Sequence, residues 1–141
     1  MNHHRVRALA HLLTGSTYVL LGYDAFRAPG GRVGLAAPTL AAMRRVAPIP
    51  EDDELVVRGN AAVQVLAGAA LALSIAPQPA AIALVGSLVP TTVAGHGFWA
   101  IEDPADRKVQ KVQFIKNMAL VGGLLAIAAS AGGRSARRRS T

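Results

Sequence analysis

Residues 59–101 read GNAAVQVLAGAALALSIAPQPAAIALVGSLVPTTVAGHGFWAI, and between Arg58 and Glu102 there is no Asp, Glu, Lys or Arg. A membrane-crossing helix needs roughly 20 consecutive apolar residues, so this stretch holds two spans. The turn between them falls at Ala76-Pro77-Gln78-Pro79, because proline lacks the N–H of a continuing helix and disfavours helix in the residue before it. Two more uncharged runs flank it, Ala8 to Tyr23 and Asn117 to Gly133. Each is shorter and reaches span length only with polar residues at one end, Asp24 to Phe26 for the first and Phe114 to Lys116 for the last. The expectation is an all-α integral membrane four-helix bundle: four transmembrane helices in one domain over 1–133, followed by a basic disordered tail over 134–141.

Composition agrees. Hydrophobic residues make up 52% of the 141 residues and charged residues 16%, where soluble domains carry about 25%. The pI of about 11.1 raises nucleic acid as a partner. The bases lie at the chain ends and in loops rather than on one soluble face, and the few aromatics make no stacking platform, so nucleic acid is not expected. The absence of cysteine excludes disulfides, CxxC redox chemistry and Cys-ligated iron–sulfur clusters within this chain. Arg5 and Arg7 precede an apolar stretch, as in a signal peptide. No small-residue cleavage site follows, and the expectation is a retained first helix.

The first helix is expected over about Arg5 to Phe26. A Pro- and Gly-rich connection follows, with a short helix at Pro38 to Val46 lying on the membrane surface through Leu40, Met43 and Val46. The next span starts after Pro50, where Glu51, Asp52, Asp53 and Glu54 suit the positive end of its dipole, and runs to Ala76. The third span, about Pro79 to Trp99, is kinked at Pro90. The last helix starts at Asp103-Pro104, an N-cap followed by proline at the first helical position, and ends at Gly132-Gly133. His11, Gly15, Tyr18 and Gly22 fall at i, i+4, i+7 and i+11, one stripe of the first helix. Gly86, Pro90 and Gly97, and then Gly122-Gly123, add small residues to the later helices, a packing signal in membranes.

With four spans both termini share a side. That side carries Arg5, Arg7, Arg134, Arg137, Arg138 and Arg139 and no acid, while the other carries the remaining bases and all 8 acids. A plain Lys/Arg count would put the two connections inside; because their bases alternate with acids, and the uncompensated bases flank the first and last helices, both termini are expected in the cytoplasm. The arginine tail reads as a stop-transfer and headgroup anchor.

Polar residues converge near the loop side. Asn60 and Gln64 share a face at i, i+4, with Arg58 a turn earlier. Thr92, His96 and Trp99 follow one another at i, i+4, i+7. Gln113, Lys116 and Asn117 open the last span, and Tyr23 and Asp24 close the first. Facing lipid, such groups cost free energy that falls if they face one another. A polar pocket is therefore expected under the loops, lined by Asp24, Arg58, Asn60, Gln64, His96, Lys116 and Asn117, with Trp99 beside it. Two cations against one carboxylate leave it net positive, suited to an anion or to an amphiphile such as a quinone. Against this stand plainer roles: Arg58 and Lys116 snorkelling to headgroups, Trp99 and Tyr23 in the interfacial belt, and Asn60, Gln64 and His96 tying helices together. His11 and His96 sit at opposite sides, roughly 20 Å apart by helical rise, too far to ligate one haem. No residue stands at metal-ligand spacing from His96.

These residues resemble the DoxX family of small four-helix bacterial membrane proteins. The resemblance covers about Arg7 to Leu125. It rests on Gly15 and Gly22, on Arg58-Gly59-Asn60 with Gln64 and Gly68, on Pro90-Thr91-Thr92 with Gly95-His96-Gly97-Phe98-Trp99, and on Gln113-Phe114-Ile115-Lys116-Asn117. It implies the fold, a multi-pass place in the bacterial inner membrane and, loosely, a redox-linked role, since the family is named for a subunit of a thiosulfate:quinone oxidoreductase. It supplies no catalytic residues. The expected function is an accessory, non-catalytic subunit of a quinone-linked membrane assembly, with a redox partner subunit and the lipid bilayer as partners and a homo-oligomer compatible with the sequence. The alternative is a structural or assembly protein without ligand chemistry. A small transporter is the third reading, weakened because the bilayer centre carries no charge.

Overall fold

The computed structural model describes residues 2–139, with side chains described through Ala131. It contains five α-helices: α1 (His3–Arg27), α2 (Gly31–Met43), α3 (Asp53–Ala72), α4 (Pro77–Gly95) and α5 (Pro104–Arg139), with a 3-10 turn at Phe98–Ala100. No strand occurs among the described residues. Three helical segments are long and apolar enough to cross a membrane, Asp53–Ala72, Pro77–Ala100 and Pro104–Ala131. The helix α1 is long enough too, but the charges at both its ends leave it the weakest apolar run. The expected set of four spans is thus matched in three helices by length and composition.

The helices pack in the order α1, α3, α4, α5, and α2 lies against α3 and α4. The core runs through Leu71, Ala81, Leu84 and Leu124, each almost fully buried. The outer faces of α1 and α5 carry exposed Leu9, Leu12, Leu20, Ile115 and Leu125, a surface compatible with lipid.

Local chemistry sets the ends. Asp52 caps α3 by accepting from the Leu55 N–H at 3.0 Å, with Asp53 and Glu54 in the first turn. Asp103 caps α5 by accepting from the Asp106 N–H at 2.9 Å, and Pro104 takes the first helical position. The chain turns from α3 to α4 through Ser74 and Ala76, both left-handed at φ 56° and 46°.

Four boundaries differ from expectation. The loop helix begins at Gly31, after Gly30 at φ +48°, and not at Pro38, which lies inside it; it packs on the other helices instead of resting only on a surface. The helix α3 ends at Ala72, short of Ala76, because the chain turns through left-handed Ser74 and Ala76. The helix α4 ends at Gly95, so Thr92, His96 and Trp99 do not share a helical face. The last helix continues through Gly132-Gly133 to Arg139, since glycine in a helix costs only about 1 kcal/mol relative to alanine. For the tail over 134–141, side chains, and the backbone of 140–141, lie outside the described residues.

The tightest seam is between α1 and α3, which run antiparallel. The hydrogen bond between His11 Nδ1 and Ser74 Oγ, 3.0 Å, marks one end. The Arg58 guanidinium, bonded to the Phe26 carbonyl, marks the other. Between them the helices touch through glycine. A methyl group on Gly68 would sit 2.7 Å from the Gly15 carbonyl oxygen, and one on Gly22 2.9 Å from the Ala61 carbonyl oxygen. All four residues of the predicted stripe, His11, Gly15, Tyr18 and Gly22, are buried. Gly86, Gly122 and Gly123 behave otherwise: a methyl group there would meet nothing within 4 Å.

Candidate functional site

A half-open cleft of about 850 Å³ lies between the helices, within the roughly 300–1,000 Å³ range of small-molecule sites. It occupies the loop-side half of the molecule. The helix α1 supplies Leu13, Thr14, Thr17, Tyr18 and Leu21; α2 supplies Leu35, Thr39, Leu40 and Met43; α3 supplies Val56, Val57, Asn60 and Gln64. Leu88, Pro90 and Thr91 of α4, then His96, and Gln110, Asn117 and Leu120 of α5 complete it. The wall is mainly aliphatic, with its amides and imidazole where α3, α4 and α5 meet and threonine hydroxyls on α1 and α2.

Those polar groups are organised around α4. Gln64 Nε2 donates to Ser87 Oγ at 3.0 Å in a buried contact. Asn60 Nδ2 donates to Thr91 Oγ1 at 3.1 Å, and Asn117 Nδ2 donates to Thr92 Oγ1 at 3.0 Å. The two threonine hydroxyls in turn donate to the carbonyls of Ser87 and Leu88, each at 2.7 Å. Both are i→i−4 back-bonds to the helix's own carbonyls, a pairing threonine commonly makes inside a helix. Past the end of α4, His96 Nδ1 lies 2.6 Å from Gln110 Oε1.

Of the eight residues expected to form the pocket, Asn60, Gln64, His96 and Asn117 line the cavity and the other four do not. Asp24 is exposed and pairs with Arg32 at 2.6 Å. Arg58 turns toward the end of α1, bonded to the Phe26 carbonyl and stacked over its ring, and pairs with Glu54 at 2.8 Å. Lys116 points outward on α5 beside Lys108 and Gln113, in a shallow groove of its own. Trp99 is 58% exposed and packs edge-on against Phe98 and Phe114 at centroid distances of 5.3 and 5.8 Å. The expected positive charge therefore does not reach the cavity. Among the described lining residues Arg32 is the one with a fixed charge, and Asp24 neutralises it.

Sequence reasoning missed the contributions of Thr14, Thr17, Thr39, Ser87 and Gln110. Ser87 and Gln110 carry a signal in retrospect: each is a polar residue positioned to meet an amide or imidazole on the next helix. Tyr18 is 4% exposed and its hydroxyl has no partner in the structure.

No protein-family model, no curated protein and no solved structure matches this chain. The site must be read from its own chemistry. It offers carboxamides, hydroxyls and one imidazole in an aliphatic chamber. Among the described residues no three His, Asp or Glu side chains gather as metal ligands do.

Proposed function

We propose that this chain is a four-span integral membrane protein whose cavity holds a lipid-soluble amphiphile, as an accessory subunit of a quinone-linked redox assembly in the manner the DoxX resemblance implies. The observation that carries the binding half is the 850 Å³ chamber itself, aliphatic along most of its wall and polar at one end, the shape and polarity of a site for a small ring with an apolar tail. The fourth span is α1. Its antiparallel register against α3, from His11 beside Ser74 to Phe26 beside Arg58, carries it through the same thickness that α3 crosses. Both termini then lie on one side, and the terminal arginines favour the cytoplasm. The redox half rests on the family resemblance, with a partner subunit performing the electron transfer.

A second reading has its own support. Asn60, Gln64 and Asn117 all bond to α4, as they would in a structural protein whose polar groups only fix helix order. Mass spectrometry of lipids retained by the purified protein separates the two. A stoichiometric quinone or related amphiphile in wild type, lost from a folded His96→Ala/Asn117→Leu variant, supports the binding site. Identical bulk lipids in both preparations support structural glue and remove the ligand.

A further inference from the structure

The cavity's hydrogen-bonding groups restrict the head group it accepts, an inference that rests on the amphiphile-binding reading above. Thr91 Oγ1 spends its proton on the Ser87 carbonyl, so toward Asn60 it can only accept. Thr92 Oγ1 spends its own on the Leu88 carbonyl, so toward Asn117 it too can only accept. Both carboxamides are thereby fixed with an N–H toward α4, and each keeps its carbonyl oxygen and a second N–H. His96 is set by the orientation of the Gln110 amide. Its Nδ1 faces the Gln110 carbonyl oxygen at 2.6 Å. With the amide in this orientation its oxygen only accepts, which puts the ring proton on Nδ1. In the neutral ring Nε2 is then a bare acceptor, and it bonds to no other described residue. The wall adds no unpaired charge, because Arg32 is held by Asp24.

We propose that the cavity selects a neutral amphiphile with a hydroxyl head, a phenol, hydroquinone or alcohol on an apolar body, and that this hydroxyl donates to His96 Nε2. A hydroxyl also accepts, so it can take an N–H from a neighbouring carboxamide. A quinone carbonyl accepts only, and would leave the imidazole lone pair unmatched in an aliphatic wall, where an unpaired polar group is costly. A carboxylate brings a charge that no unpaired cation in the wall meets. For a redox-linked protein this means that the reduced carrier is the form held. Gln110 is a positioning residue that sets the tautomer of His96.

The test measures equilibrium binding of three probes to the full chain in lipid nanodiscs: decylbenzohydroquinone kept reduced, decylbenzoquinone, and the dimethyl ether of the hydroquinone. The hydroquinone is expected to bind at least about tenfold more tightly than the other two. His96→Ala is expected to bring it down to the level of the ether and leave ether binding unchanged, whereas His96→Gln, which restores an acceptor, recovers part of the preference. Gln110→Leu keeps the imidazole, releases its tautomer and weakens the preference, which provides a second reading if His96→Ala does not fold. Equal binding of all three probes overturns the head-group inference and leaves the amphiphile site standing. Failure of all three to bind overturns both.

Discussion

Gly15 and Gly68 face one another across α1 and α3 with no room for a side chain on either, and a larger residue must push two backbones apart. Gly15→Val or Gly68→Val is expected to destabilise the protein by about 1–3 kcal/mol, the usual range for overpacking, seen as a lower midpoint in thermal unfolding in detergent. Gly122→Ala is the control. Its methyl group meets nothing within 4 Å, and the better helix propensity of alanine, worth about 1 kcal/mol, should leave the midpoint unchanged or raised. A second prediction concerns the polar ties. The Asn117–Thr92 hydrogen bond is expected to show a coupling of about 0.6 kcal/mol, and no more than about 1.7, in a double-mutant cycle of Asn117→Leu and Thr92→Val, the scale of interhelical bonds in membranes. A coupling of zero would mean that the amide is free to serve a ligand alone. At this scale the sequence was readable where residues repeat on one helix face. The spacing of His11, Gly15, Tyr18 and Gly22 marked the stripe that α3 covers, and Asn60 and Gln64 were placed together correctly. It was not readable for Arg58 and Lys116. Periodicity says which residues share a face but not what that face meets, and long charged side chains can turn away from a cavity that lies within a turn of them.

Among the elements, α2 differs most from what its residues suggest in isolation. It forms one wall of the cavity and is held at both ends by arginine–aspartate pairs, Arg32–Asp24 and Arg44–Asp53, each at 2.6 Å. Arg44 also donates to the Pro50 carbonyl from two of its nitrogens. The first pair is largely exposed and contributes little by itself, while the second is three-quarters buried. The double substitution Arg32→Ala/Arg44→Ala is expected to raise amide hydrogen exchange across residues 31–43 with little change in α3 and α4, and high salt is expected to do part of the same through the exposed pair. Exchange that rises equally in every helix would show that α2 is integral to global stability instead. Pro38 misled the sequence reading because proline is so often the first residue of a helix. Here it is tolerated in the second half of a short amphipathic helix whose Leu40 is buried. A comparable error placed Trp99 beside His96: the spacing assumed that α4 continues, but it stops at Gly95 and the 3-10 turn carries the ring to the Phe98–Phe114 cluster.

On the scale of the whole molecule, the sequence established the helical class and the three strongly apolar segments, since an uncharged stretch of double span length has few other uses. It could not establish α1 with the same force, because the case for that helix lies in what it packs against. The absence of cysteine makes the topology directly measurable. With Asn2→Cys, Glu51→Cys and Ser140→Cys introduced singly, a membrane-impermeant thiol reagent is expected to reach positions 2 and 140 from one side and position 51 from the other. If positions 2 and 51 react from the same side and position 140 from the opposite one, α1 does not cross and the protein has three spans.

The glycine seam has a consequence for how such a chain is made. In a four-span protein α1 leaves the ribosome before α3, flanked by charges and only modestly apolar, and the surface that completes it belongs to a helix whose Gly68 has yet to be synthesised. Until then its buried stripe, with the polar His11 and Tyr18 on it, has no protein to face. A newborn chain of that topology would pass through an interval in which its least hydrophobic span waits for its most intimate neighbour, and the length of that wait would be set by the connection that contains α2. Shortening the connection would bring the two helices together sooner, whereas interrupting translation before α3 would strand α1 as the fragment that membrane quality control is equipped to remove.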